Sequence, residues 1–141
     1  RFSMKNFFDP LPGVDGWMLS NANIISSVAH LASLDMFEKV GIQELRKKSI
    51  LLTGYLEYLL INNVSIKPHI KILTPKNKSE RGCQLSIYFY SQGKKAFEHL
   101  TKNGVTIDWR EPNVIRVAPV PFYNTFQEVR RVVALMNQVF V

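Results

Sequence analysis

Residues 84–90 read Gln-Leu-Ser-Ile-Tyr-Phe-Tyr, and this stretch decides the fold class. Its apolar and more polar side chains alternate with a period of two, which predicts a half-buried β-strand. Leu85, Ile87 and Phe89 are expected to face one way, and the residues between them the other.

The segments on either side of this strand complete an α+β pattern. Three- and four-residue spacing of apolar side chains predicts helices before the strand, and Thr125 to Glu128 has the sequence of a capping box that starts a last helix. The predicted order is ααββαββα, with helices packed on a mostly antiparallel sheet. The predicted bounds are helices at 21–40, 42–61, 94–102 and 126–140, and strands at 70–73, 84–90, 105–109 and 114–117.

Length and charge narrow the class of protein. The 141 residues suffice for one domain with a buried core, and the net charge of +7 makes nucleic acid a partner to consider. The basic residues are dispersed, however, and no Cys/His finger spacing or aromatic-rich RNA-binding strand occurs. No apolar run reaches the roughly 18 residues of a membrane span. We therefore expect neither nucleic acid nor a membrane as partner.

The ends of the chain and its cysteine usage bear on its context. The single cysteine, Cys83, fits a reducing, intracellular compartment. The chain starts at Arg1 without a signal-peptide pattern, which favours a piece of a longer protein.

Arg116 is the first candidate functional residue. In an extended 114–118 segment it shares a face with Val114 and Ala118, while Ile115 and Val117 occupy the other face. A guanidinium on such a strand needs an anion, because leaving it unpaired in a dry site is costly. The anion is either a ligand or an internal carboxylate in a structural ion pair.

The second candidate is Ser20-Asn21, which precedes a long predicted helix. Free backbone N–H groups and the positive end of the helix dipole suit a phosphate there. The alternative is plain N-capping by Ser20, Asn21 or Asn23. The histidines show no metal-ligand spacing, and the glycines form no phosphate loop.

Several stretches resemble the C-terminal part of the kynureninase family. The likeness covers nearly the whole chain in order. The matching residues are Arg1-Phe2-x-Met4, Pro12-Gly13-Val14-x-Gly16, Ser20-Asn21, Leu45 to Leu59, Glu80 to Leu85, Pro112-Asn113 and Ile115 to Asn124.

The resemblance implies the small C-terminal domain of a fold-type I pyridoxal-phosphate (PLP) enzyme. Residues 1–20 would be a tail leaving an absent large domain, and 21–141 the small α+β domain. The family's Schiff-base lysine lies before the position of Arg1, so no catalytic residue is expected in this chain. Arg116 matches the arginine that binds the substrate α-carboxylate. Asn21, with Ser20 beside it, matches a cofactor contact made across a homodimer interface.

The implied activity is that of a cytoplasmic enzyme of tryptophan catabolism and NAD biosynthesis. It hydrolyses L-kynurenine or 3-hydroxy-L-kynurenine to L-alanine and anthranilate or 3-hydroxyanthranilate. Ala22-Asn23 stand where the family often has Pro-Pro. That departure keeps open an alternative: a non-catalytic relative, or a basic interaction module, with the same small-domain fold.

Overall fold

The computed structural model describes residues 5–18 and 20–141, and its contacts divide the chain into two compact units. The first unit is Arg1–Val40 and the second is Gly41–Val141. The predicted division at residue 20 differs from this one and stays a prediction about the domains of the protein.

The first unit contains a 3₁₀ turn at Gly13–Trp17 and helix α1 at Ile24–Val40. Helix α1 begins three residues later than predicted, because Asn23 is the residue that caps it: the Asn23 side-chain oxygen accepts a hydrogen bond from the Ser26 N–H at 3.2 Å. The predicted stop at Gly41 is confirmed, since Gly41 has φ of +81°, a conformation that favours glycine.

Apolar side chains of the first unit are widely exposed. Phe8 and Trp17 are each 85% exposed, and no described residue of α1 is buried. The sequence also places Leu19 in this apolar set, but that residue lies outside the described ones. Exposed apolar surface of this extent is typical of a segment that contacts another surface.

The second unit holds three helices and four strands. They run along the chain in the order α2, β1, β2, α3, β3, β4, α4. Their bounds are α2 at Ile42–Asn62, β1 at Ile70–Ile72, β2 at Leu85–Phe89, α3 at Gly93–Lys102, β3 at Asp108–Arg110, β4 at Val114–Val117 and α4 at Phe126–Asn137.

The four strands form one antiparallel sheet in the order β1-β2-β4-β3. One face of it is buried: Leu85, Ile87 and Phe89 of β2 and Ile115 of β4 are fully buried, as the alternation predicts. Helices α2, α3 and α4 contribute to the same core through Leu52, Leu56, Leu60, Ala96, Leu100, Val129, Val133 and Met136. The α+β class with an antiparallel sheet is thereby confirmed. The other face, which we call the open face, has the more polar side chains, among them Ser86, Asp108 and Arg116.

Strand β3 is shorter than predicted, because the residues before it complete the end of α3. The Val105 N–H donates to the Leu100 carbonyl at 3.0 Å, and Gly104 has φ of +76°. Val105 therefore closes the helix, and residues 105–107 are not part of β3. The turn predicted at Pro112-Asn113 joins β3 to β4, with a cis bond between Glu111 and Pro112.

The capping box predicted before the last helix is confirmed. The Thr125 hydroxyl accepts from the Glu128 N–H, and the Glu128 carboxylate accepts from the Thr125 N–H at 2.7 Å. The backbone and hydroxyl hydrogen bonds from Thr125 lower the pKa of Glu128. Since the pKa of Glu128 is lower in the folded protein, its ionised carboxylate stabilises the fold at pH values above the unfolded-state pKa. This stabilisation is lost as the pH falls through the folded-state pKa.

Two glycines in helices should respond oppositely to alanine. A Cβ at Gly93 would lie 2.7 Å from the Cβ of the buried Phe89, whereas a Cβ at Gly54 would meet nothing closer than 3.9 Å. We expect Gly93→Ala to lower the free energy of unfolding by about 1–3 kcal/mol through overpacking. Gly54→Ala should raise it by about 0.5–1 kcal/mol through helix propensity.

The measurement is urea unfolding of residues 41–141, followed by the fluorescence of Trp109, the only tryptophan in that unit. Gly54→Ala is the matched control for adding a methyl group to a helix. Equal effects of the two substitutions would contradict the close approach of α3 to β2.

Candidate functional site

Arg116 lies in the middle of the open face. Its neighbours in register are Ser86 on β2 and Asp108 on β3. Val114 and Arg116 are half-buried, whereas Ile115 and Val117 are buried on the core face, so β4 has the alternation that the sequence predicts. The β-strand geometry thus holds the guanidinium on the side of the sheet away from the helices.

Asp108 is the anion that Arg116 contacts. One carboxylate oxygen, Oδ2, accepts a hydrogen bond from Nε of the guanidinium and forms an ion pair with Nη2. The internal ion pair that was one of the two alternatives for Arg116 is therefore present. The Nη1 group bonds no other described residue, so this edge of the guanidinium keeps its donors for a second anion.

A second arginine shares the same carboxylate oxygen. Arg110 lies two residues after Asp108 on the open face, and its Nε donates to Oδ2 of Asp108 at 2.9 Å. Arg110, Asp108 and Arg116 form a cluster of two positive charges and one negative charge, which we call the RDR cluster. Its net charge of +1 suits one carboxylate.

The electrostatics of the RDR cluster keep Asp108 ionised. Partial removal from water raises the pKa of Asp108. The hydrogen bond from Arg116 and the charges of both arginines together lower this pKa by more than burial raises it. The net effect is a pKa below the usual value. Because the folded-state pKa is the lower one, the ion pair stabilises the fold above the unfolded-state pKa and is lost as the pH falls through the folded value.

Ser20 and Asn21 lie in the first unit, in the segment before α1, and both are exposed. Neither side chain bonds another described residue. The residue that caps α1 is Asn23. The hydroxyl of Ser20 and the amide of Asn21 therefore keep their donors. Arg116 belongs to the second unit.

A cavity of the second unit has no contribution from Arg116. It has a volume of about 530 Å³ and lies beside the end of β4 and the start of α4. Val117 lines it from the core face of the sheet, whereas Arg116 is on the open face. No residue of the RDR cluster lines this cavity.

Two of the histidines make contacts within the fold. His69 stacks on Phe140 and bonds Ser91, and His99 bonds Gln138. Within residues 5–18 and 20–141 no group of three or more His, Cys, Asp or Glu side chains could hold a metal ion. In the same residues no helix combines the length and apolarity that a membrane span requires.

Sequence reasoning missed Asp108 and Arg110 as members of the site. The signal was present in the hairpin, because reflecting β4 through the turn at Pro112 pairs position 116 with position 108. Asp108 opposite Arg116 is then a cross-strand pair of opposite charge, which stabilises antiparallel strands.

Comparison with known proteins identifies the family. The family model of the kynureninase C-terminal domain matches residues 45–136. This chain belongs to the kynureninase family. The kynureninase of Flavobacterium psychrophilum is 49% identical over 92% of the chain, and the Homo sapiens kynureninase is 45% identical over 99% of it.

The kynureninase match covers only part of the longer relatives. The chain spans 31% of the length of each of these two proteins. A solved structure described as a NifS-like protein has the same fold, with a TM-score of 0.68 and 19% identity over 85% of this chain and 34% of its own. This likeness agrees with the fold expected for a kynureninase C-terminal domain.

Proposed function

We propose that this chain is the C-terminal domain of a PLP-dependent hydrolase that cleaves L-kynurenine or 3-hydroxy-L-kynurenine. The products are L-alanine and anthranilate or 3-hydroxyanthranilate. Water adds across the bond between Cβ and Cγ: the hydroxyl goes to Cγ, which becomes the new carboxyl, and a proton goes to Cβ. Membership of the kynureninase family supports the reaction. The observation that supports a part for this chain in substrate binding is the open donor edge of Arg116.

Arg116 binds the α-carboxylate of the substrate in this proposal. Its Nε and Nη2 contact Asp108, and the edge with Nη1 is available to a second carboxylate. A planar guanidinium with two parallel N–H donors fixes a carboxylate in orientation as well as position. The amino-acid end of the substrate is thereby held, and the bond to be cleaved takes a defined place relative to it.

The donors of Ser20 and Asn21 fit the phosphate of PLP. Both side chains are exposed, neither bonds another described residue, and both lie in the segment before the 17-residue helix α1, which begins at Ile24. Hydroxyl and amide donors near free backbone N–H groups suit phosphate oxygens. The cofactor, when bound, supplies the electron sink of the reaction. Asn21 holds either the phosphate or the ring side of the substrate.

The partners follow from the same proposal. Exposed apolar residues of the first unit, among them Phe7, Phe8 and Trp17, would contact the remainder of a longer protein. The contact of Asn21 with the cofactor would cross the interface of a homodimer. A cytoplasmic location fits the single cysteine, Cys83.

The test uses a full-length kynureninase in which this chain forms the C-terminal third, which we call the full-length enzyme. The Flavobacterium psychrophilum relative can supply the other two thirds. With PLP and L-kynurenine we expect equal amounts of anthranilate and L-alanine, measured by anthranilate fluorescence and amino-acid analysis. A soluble enzyme with its full content of PLP that releases neither product would contradict the proposal.

A further inference from the structure

The strand register of the open face places Asp108 and Arg110 around Arg116. Asp108 is the direct partner of Arg116 across β3 and β4, and Arg110 is the next residue of β3 on the same face. Both contacts meet at one atom, Oδ2 of Asp108. The position of the Arg116 guanidinium is therefore determined by a residue of another strand and not by its own rotamers alone.

The contact uses one edge of the guanidinium and leaves another edge open. Asp108 occupies Nε and Nη2, and the Nη1 donors bond no other described residue. A carboxylate on the open edge and Asp108 on the first edge can be bound at the same time, since an arginine offers five N–H donors. Asp108 thus orients Arg116 without competing for the donors that a substrate needs.

Arg110 offsets the charge that Asp108 brings. Arg116 and Asp108 alone form a neutral pair, which attracts a further carboxylate weakly. With the Nε of Arg110 at 2.9 Å from the same carboxylate oxygen, the RDR cluster has a net charge of +1. The side chain of Arg110 is 61% exposed and that of Arg116 is 34% exposed, so this contribution is partly screened by water.

We propose that Asp108 and Arg110 are positioning residues for the substrate carboxylate: Asp108 orients the guanidinium of Arg116, and Arg110 restores the net positive charge. This proposal rests on the proposed function, because it assumes that Arg116 binds the substrate α-carboxylate. It predicts that both residues affect the recognition of charge at that carboxylate, although neither needs to touch the substrate.

The test compares L-kynurenine with its α-carboxamide, which lacks the negative charge. For the full-length enzyme, the ratio of kcat/KM for the acid to kcat/KM for the amide measures carboxylate selectivity. We expect the ratio to fall about three- to tenfold in Arg110→Gln, because one positive charge is removed. In Asp108→Asn it should fall about tenfold, because the loss of the charge-assisted contact that orients Arg116 outweighs the gain in positive charge. Arg130→Gln, the same charge change on the exposed surface of α4, should keep the ratio within about twofold.

The outcomes separate this inference from the proposed function. If the parent enzyme releases no anthranilate, the proposed function fails. If the parent is active and both variants lose activity on acid and amide equally, the residues are structural and the inference fails. If the ratio stays within about twofold of the parent in both variants, the inference fails while the proposed function stands.

Discussion

Replacing Arg116 by lysine should lower kcat/KM of the full-length enzyme for L-kynurenine about ten- to a hundredfold, with PLP content unchanged. Lysine keeps the charge but loses the two parallel N–H donors that grip a carboxylate. Hydrogen bonds to charged groups contribute about 1.5–3 kcal/mol, and each 1.4 kcal/mol is about tenfold in an equilibrium constant. Much of the loss should appear as a higher KM if Arg116 binds the substrate carboxylate equally well in the ground state and in the transition state.

The measurement is steady-state kinetics of anthranilate release, with PLP content determined by absorbance. Arg130→Lys, which changes an exposed arginine of α4 in the same way, is the control and should match the parent. Activity of Arg116→Lys within about twofold of the parent would make Arg116 only the ion-pair partner of Asp108. Loss of PLP instead would show that the residue supports the cofactor site.

The largest expected loss of stability comes from Glu57→Gln. Glu57 on α2 bonds the guanidinium of Arg81 at 2.5 Å, and the Arg81 side chain is only 1% exposed. Arg81 also donates to the Pro75 carbonyl, and its Nε is buried without a partner among the described residues. Removing the negative charge leaves a buried cation unpaired, which should cost about 3 kcal/mol of the free energy of unfolding.

Glu44→Gln on the same helix is the matched control for Glu57→Gln. Glu44 pairs with Lys47 at the surface, where both side chains are more than 60% exposed. Exposed pairs of this kind contribute little, so we expect a loss below about 1 kcal/mol. Both variants are measured by urea unfolding of residues 41–141. Equal losses would show that burial of the Arg81 charge is not the cause.

Much of the second unit could be predicted from local pattern. The alternation in 84–90 gives β2 and its buried face, and Thr125 with Glu128 gives the start of α4, because each signal lies within a few residues of the chain. The end of α3 was less predictable. Val105 is apolar enough for a strand, but its N–H bonds the Leu100 carbonyl, and only the three-dimensional path of the chain decides between these uses.

Burial of charge could not be predicted from local pattern at all. Arg81 appears in the sequence as one of several cations in a polar loop, yet the structure buries it against Glu57, 24 residues earlier in the chain. The pairing depends on the path of the 73–84 segment relative to α2, and the hydrophobic periodicity of the sequence does not predict that path. The Arg116 position was predictable because its strand has alternating burial, whereas its carboxylate partner required the register of β3.

The central claim is that Arg116, on the open face of this kynureninase domain, binds the substrate carboxylate. The most direct measurement is a crystal structure of the full-length enzyme with the product L-alanine bound. We expect the alanine carboxylate to accept two hydrogen bonds of about 2.7–2.9 Å from the guanidinium of Arg116, with Asp108 still on Nε. An alanine carboxylate held by another cation, with Arg116 bound to Asp108 alone, would contradict the claim.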